Sequence, residues 1–206
     1  MATIATSVSV IAGPLPEAAA LDARVEALRR RFPRAIVDRY LGRLPVVGER
    51  VLLAPGAAIV GDVELGEDVS IWYGAVLRAD IAPIVVGPRA NVQDGTVIHV
   101  ADECPCVIGA DTVVGHRAML HGCRVEEACL IGMQATILDE AIIGRGSIIG
   151  AGALVTEGMV IPPHSLAFGA PARVVRTLTD ADEQFHRDVA AKYVRVKENY
   201  LRDALR

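Results

Sequence analysis

The chain is poor in aromatic side chains, has no long apolar run and carries no strong charge of one sign. Its 206 residues include one Trp, three Phe and four Tyr, 4% in all. So few rings argue for a narrow interior filled by Val, Ile, Leu and Ala. No stretch approaches the roughly 20 apolar residues that a helix needs to span a bilayer. The net charge of −4 and a pI near 5.7 give no basic footprint for nucleic acid. Residues 2–13 are mildly apolar, but no basic residue precedes them, so a secretory leader is not expected and the expected setting is the cytoplasm.

What the chain has is a period of six. An aliphatic residue recurs at Leu53, Ile59, Leu65, Ile71 and Leu77, then at Val86, Val92 and Ile98, then at Ile108, Val114 and Leu120. It returns at Val125, Ile131, Ile137, Ile143, Ile149 and Val155. Gly often follows it, and the residue four places on is small or β-branched, as at Ala57, Val69, Ala90, Thr112, Ala135 and Ala153. This spacing fits neither the 3.6-residue period of a helix nor simple strand alternation. It suits a triangular prism in which each hexapeptide supplies one short β segment and one corner, with glycine giving the turn its freedom and its close approach. The alternative, a sandwich of evenly spaced strands, does not account for so long an in-phase series. The expected fold is therefore mainly β: a left-handed parallel β-helix over residues 47–176, a partly helical extension over 1–46 and a C-terminal helix over 177–206.

The phase breaks in three places. Three residues are inserted around Ile81–Pro83 and four around 101–106, and one is deleted between Leu120 and Val125. Insertions into a solenoid are expected to form surface loops, often at a binding face. Before the repeats, residues 16–43 read as an amphipathic helix with Leu21, Val25, Leu28, Ile36, Tyr40 and Leu41 as apolar markers. Its Arg29-Arg30-Arg31 run, interleaved with Asp22, Glu26 and Asp38, reads as a solvated face. After the repeats, residues 179–183 look like a capped helix start. Phe185, Val189, Tyr193, Val196, Tyr200 and Leu201 then form the expected packing stripe of a helix folded back on the prism. The spacing of Cys104 and Cys106 is too tight for a CxxC zinc knuckle. Cys129 takes a core phase. Four free thiols are expected, with a loop disulfide or a redox role as the alternative.

Phase sorts the histidines. His99 follows Ile98 and His121 follows Leu120, and Leu120 is the third hexapeptide after Ile98, one full coil later. The two are expected to stack about 4.8 Å apart at one corner, close enough to share a metal ion at about 2.0–2.1 Å from each nitrogen. His116 follows Val114 by two, and five extended residues cover about 16 Å. It does not reach the same ion within its own chain, but it could from a neighbouring subunit of a three-fold assembly. Three histidines with an open fourth position form a catalytic zinc arrangement.

With these residues in hand, the sequence resembles the γ-class carbonic anhydrases. The resemblance lies in residues 70–80 (SIWYGAVLRAD), 91–99 (NVQDGTVIH), 114–123 (VGHRAMLHGC), 132–135 (GMQA) and 169–173 (GAPAR), and spans roughly residues 47–200. It implies a homotrimer binding zinc, or alternatively ferrous iron or cobalt, through His99, His116 and His121 across the subunit interface. It also implies hydration of CO2 to bicarbonate by a metal-bound hydroxide. Arg78 and Asp80 match positions that pair between subunits and help bind bicarbonate. Gln93 matches a residue that hydrogen-bonds the metal-bound water, Asp94 its neighbour, and Tyr193 a C-terminal active-site tyrosine. The match lapses at Ile81, where the best-characterised type carries glutamate, and in the short loop after His99. There Asp102, beside Glu103, stands at the offset of the proton-shuttle glutamate, which lowers the expected turnover. An acyl-CoA thioesterase or acyltransferase on the same prism, and a non-catalytic metal-binding trimer, are the competing functions.

Overall fold

The computed structural model describes residues 18–203. Over them the chain is a left-handed parallel β-helix of short strands, with one α-helix before it and one after. Helix α1 is Ala18–Arg31 and helix α2 is Asp180–Asp203. None is long and apolar enough to cross a membrane. Three ladders of parallel strands form the prism. The first face stacks Val97–His99, Met119–His121, Thr136–Ile137 and Leu154–Val155 on the start of the long strand Val76–Val86. The second stacks Cys106–Ile108, Arg124–Val125, Ile142–Ile143 and Val160–Ile161 on that strand's end. The third runs from Leu52–Leu53 through Ser70–Ile71, Asn91–Val92, Val113–Val114, Leu130–Ile131 and Ile148–Ile149 to Ser165–Gly169. Ala172–Thr177 closes it in antiparallel fashion.

The six-residue period translates directly into burial. All the in-phase aliphatics are buried, most of them completely, and the small residues four places on pack beside them. The three of these that are polar are satisfied within the wall: Thr96 Oγ1 donates to the Gly115 carbonyl at 3.0 Å, Thr112 Oγ1 to that of Glu126 at 3.1 Å and Ser147 Oγ to that of Pro162 at 2.9 Å. The recurrent glycine serves close approach. A Cβ on Gly87 would lie 2.7 Å from the amide nitrogen of Ala110 on the next coil. The left-handed φ that turns each corner falls two residues later, on residues such as Asp68, Arg89, Asp111 and Gln134 as well as on glycines. The expectation that the repeat glycine supplies backbone freedom is thus corrected: the turn takes its positive φ elsewhere.

Three further expectations change. The first helix stops at Arg31, two residues before Pro33, whose ring cannot continue it. Ile36–Asp38 and Val46–Val47 are instead strands paired with Ala58–Leu65. Strand alternation then puts Val37 inside and Ile36 outside, and leaves Tyr40 and Leu41 exposed. The basic run ties helix to wall: Arg29 reaches the Val37 carbonyl at 3.0 Å and Arg31 that of Gly48 at 2.7 Å. The insertion at Ile81–Pro83 makes no separate loop but a bulge in the 11-residue strand Val76–Val86, whose register against Ala58–Leu65 shifts between Gly61 and Val63. The second insertion does form a tight loop, closed by an Ala101–Cys104 bridge.

Helix α2 lies along the third face, opened by a capping box in which the Thr179 amide donates to Asp182 Oδ2 at 2.8 Å and the Asp182 amide to Thr179 Oγ1 at 3.3 Å. Its buried stripe is Glu183, His186, Ala190 and Lys197, while the expected stripe residues Phe185 and Tyr200 are 61% and 43% exposed. The reason is the surface it meets. The outside of a corner presents carboxylates, guanidinium groups and carbonyl oxygens, so a polar stripe pairs there and an apolar one would not. All four cysteines are free, and the close pair is Cys106 and Cys123, with sulfurs 3.8 Å apart, rather than Cys104 and Cys106. Burial pushes the Cys129 thiol up to about 12.

Candidate functional site

The proposed site residues divide between the two edges of the first face. At the edge shared with the second face, His99 and His121 sit in register on adjacent coils, rings 5.0 Å apart. The deleted residue shortens the turn after His121, so the left-handed φ falls on Gly122 at +48°. His99 Nδ1 and His121 Nε2 are 3.0 Å apart. Their other nitrogens meet carboxylates: His99 Nε2 lies 3.0 Å from Asp80 Oδ1, and His121 Nδ1 bonds Asp139 Oδ1. Arg78, half-exposed, pairs with the second oxygen of Asp80 within the same chain. Burial disfavours the charge on Asp80, but hydrogen bonds from His99, its own backbone and Arg78 outweigh it and hold its carboxyl below the ordinary range.

A count of protons defines what this cluster can do. Two neutral imidazoles carry two N–H groups, and there are three gaps to fill, from Asp80 to His99, to His121, to Asp139. When both outer gaps are bridged by N–H donors to carboxylates, the inner nitrogens face each other as lone pairs. Such a pair fits a cation. Divalent zinc, iron or cobalt, with imidazole as a favoured ligand, suits the donor set. Among the described residues no three His, Cys or carboxylate groups gather into one metal-holding set, so the pair lacks a third ligand from its own chain.

The other edge of the first face, shared with the third, carries a vertical stack of corners. The Gly95 amide donates to the Tyr73 carbonyl and the Arg117 amide to that of Asp94, each at 2.9 Å. His116 stands in this stack, half-exposed, its Nδ1 3.0 Å from Asp94 Oδ2. Gln93 is buried next to Asp94, its backbone N–H donating to the Val114 carbonyl at 2.9 Å. Tyr193 from α2 packs edge-on against Trp72, ring centroids 6.2 Å apart, which places it on this side and away from the paired histidines. Asp102 is exposed on the loop that follows His99. Sequence reasoning missed Asp139. Its signal was indirect: an acidic residue one coil beyond Gly122, filling the space that a side chain at 122 would take.

A prism of hexapeptide coils with histidines at its corners defines a hexapeptide-repeat protein. A family described as bacterial transferase hexapeptide (six repeats) matches residues 45–79 and 122–157. A Methanocaldococcus jannaschii protein named "Probable carbonic anhydrase" is 46% identical over 153 residues, covering 74% of this chain and 96% of its own. Gamma carbonic anhydrase 1, mitochondrial, of Arabidopsis thaliana is 40% identical over 157 residues, which are 73% of this chain and 57% of the plant protein. A solved Bacillus cereus structure described as "putative acetyltransferase" superposes with a TM-score of 0.79 at 40% identity, covering 81% of this chain and 97% of that one. The chain belongs to the γ-class carbonic anhydrase family.

Proposed function

We propose that the protein is a metal-dependent carbonic anhydrase that interconverts CO2 and bicarbonate at sites shared between the subunits of a homotrimer. The observation that carries this reading is the division of the site. His99 and His121 converge at one edge of the first face, and His116 stands at the other, with no third ligand inside the chain. Helix α2 packs on the third face, while Met119 on the first face and Met133 at the His116 edge are 36% and 56% exposed. A neighbour's His116 edge brought against the His99–His121 edge would complete the ligand set. The names of its relatives support the same reaction. Zinc, iron or cobalt held by these histidines would supply Lewis acidity, which brings the pKa of water from 15.7 towards about 7.

The chain's own groups then have distinct tasks. Arg78, held by Asp80, offers a half-exposed guanidinium to a bicarbonate anion. Gln93 and Asp94 orient the water that reacts, from the His116 edge. Asp102 is the exposed carboxylate that takes the proton towards solvent, and Tyr193 walls the His116 edge through Trp72. Free thiols throughout suit the reducing cytoplasm. The Bacillus cereus structure favours a second reading, acyl transfer to or from coenzyme A. Metal analysis of the purified chain with stopped-flow CO2 hydration decides between them. We expect about one metal ion per chain and hydration that a chelator abolishes. A metal-loaded trimer that is inert towards CO2 but releases coenzyme A from an acyl thioester would establish the second.

A further inference from the structure

The geometry points to Asp139 as a positioning residue that fixes the tautomer and aim of His121 for the metal, the counterpart of Asp80 behind His99. The inference rests on the metal-binding reading above. It is carried by three observations. His121 Nδ1 bonds Asp139 Oδ1, which commits that nitrogen to a proton and leaves Nε2 as the lone pair facing His99 Nδ1 at 3.0 Å. The Asp139 backbone is locked against the same turn, because the next residue, Glu140, donates its amide to the Gly122 carbonyl at 2.7 Å and Gly158 donates to the Asp139 carbonyl at 2.8 Å. Finally, the position beside His121 is kept empty for the carboxylate: a Cβ on Gly122 would lie 2.5 Å from Asp139 Oδ1 and 3.0 Å from Cys104 Sγ.

A carboxylate behind a ligating imidazole sets ring orientation and raises ligand basicity, and losing it commonly costs 10–100-fold in metal affinity. Asp139 touches neither the ligand nitrogen nor any substrate. Its effect therefore passes through His121 and appears in affinity before it appears in chemistry. Gly122→Ala displaces the carboxylate without altering a histidine and reproduces the effect of removing it.

The test uses the full-length protein stripped of metal, with cobalt(II) as probe, in competition with a chelator. We expect Asp139→Ala to weaken cobalt binding about 10–100-fold and to shift the visible absorption of the bound ion. Asp139→Asn, which keeps an acceptor oxygen and loses the charge, falls between it and the parent. Thermal unfolding of the metal-free variants separates a folding defect from a positioning one. Long-range proton–nitrogen NMR of the metal-free chain reads the His121 tautomer directly, as Nδ1–H in the parent and moved towards Nε2–H in Asp139→Ala. Parent-like cobalt affinity together with a parent-like tautomer in Asp139→Ala overturns the assignment while leaving the metal site intact. A parent protein that takes up no cobalt but shows the predicted tautomer change overturns the metal reading instead, and with it any role of Asp139 in binding.

Discussion

Lys197 is fully buried, its ammonium 2.6 Å from Asp68 Oδ1 and 2.6 Å from the carbonyl oxygen of Arg50. Asp68 is held below the ordinary carboxyl range by Arg50, against the opposing effect of burial, with Lys197 helping. Lys197→Met keeps the packing volume, removes this donor from the Arg50 carbonyl and leaves Asp68 Oδ1 with the Arg50 Nε–H at 3.1 Å. Because Asp68 retains Arg50, we expect a loss near the low end for a broken buried pair, about 3 kcal/mol, in urea unfolding. A loss below about 1 kcal/mol would mean that the ammonium contributes little beyond its hydrocarbon stem. At this scale the sequence was uneven. His99 and His121 were legible because each directly follows an aliphatic of known phase. Lys197 and Asp139 were not, because a charge held in a structural pair is recognised only by its partners, and those lie on other coils.

Helix α2 carries its own acid sensitivity. Burial lowers the pKa of His186 from its ordinary 6.5, and its Nδ1 donates to the Ala128 carbonyl while Nε2 has no partner among the described residues. Among the described residues, the carboxylates that act on it are Asp182 and Glu183 of its own helix. Since the unfolded chain binds that proton more tightly, docking is complete above pH 6.5 and weakens as the pH falls below it. Glu183 is lowered from 4.5 by Arg145, against its burial, with Arg187 assisting, and Asp182 is lowered from 3.8 to about 2 by the Thr179 amide and hydroxyl. Their stabilisation is present above those ordinary values and disappears as acid protonates them, so a second loss follows below pH 4.5. Trp72, the chain's single tryptophan, packs against Tyr193 and Tyr200 of α2 and reports the docking directly. Its fluorescence should change in two acid steps before far-UV dichroism collapses, and His186→Leu should erase the first. A single step coincident with global unfolding would rule out separate undocking. The helix itself was legible from its cap. Its buried face was not, since an apolar stripe is the wrong template for a helix that lies on a polar wall.

For the whole molecule, the shared site makes a counting prediction. A His99→Ala chain retains His116, and a His116→Ala chain retains His99 and His121. Each alone should bind no metal. Dissociated, mixed in equal amounts and reassembled, they should recover about one quarter of the interfaces in a closed three-fold ring, because only one ordered pairing in four is intact. Metal content and CO2 hydration should rise together to that level, and no recovery at all would confine the site to a single chain. The six-residue period determined by itself the prism, its aliphatic interior, the stacking of His99 on His121 and the exclusion of His116 from that pair, because each of these follows from phase along one coil. Only the tertiary structure decided which carboxylates stand behind the histidines, that the insertion at Ile81–Pro83 is absorbed as a bulge, and which face α2 covers. Those depend on contacts between coils and on how backbone polar groups are satisfied there, which no spacing along the chain encodes.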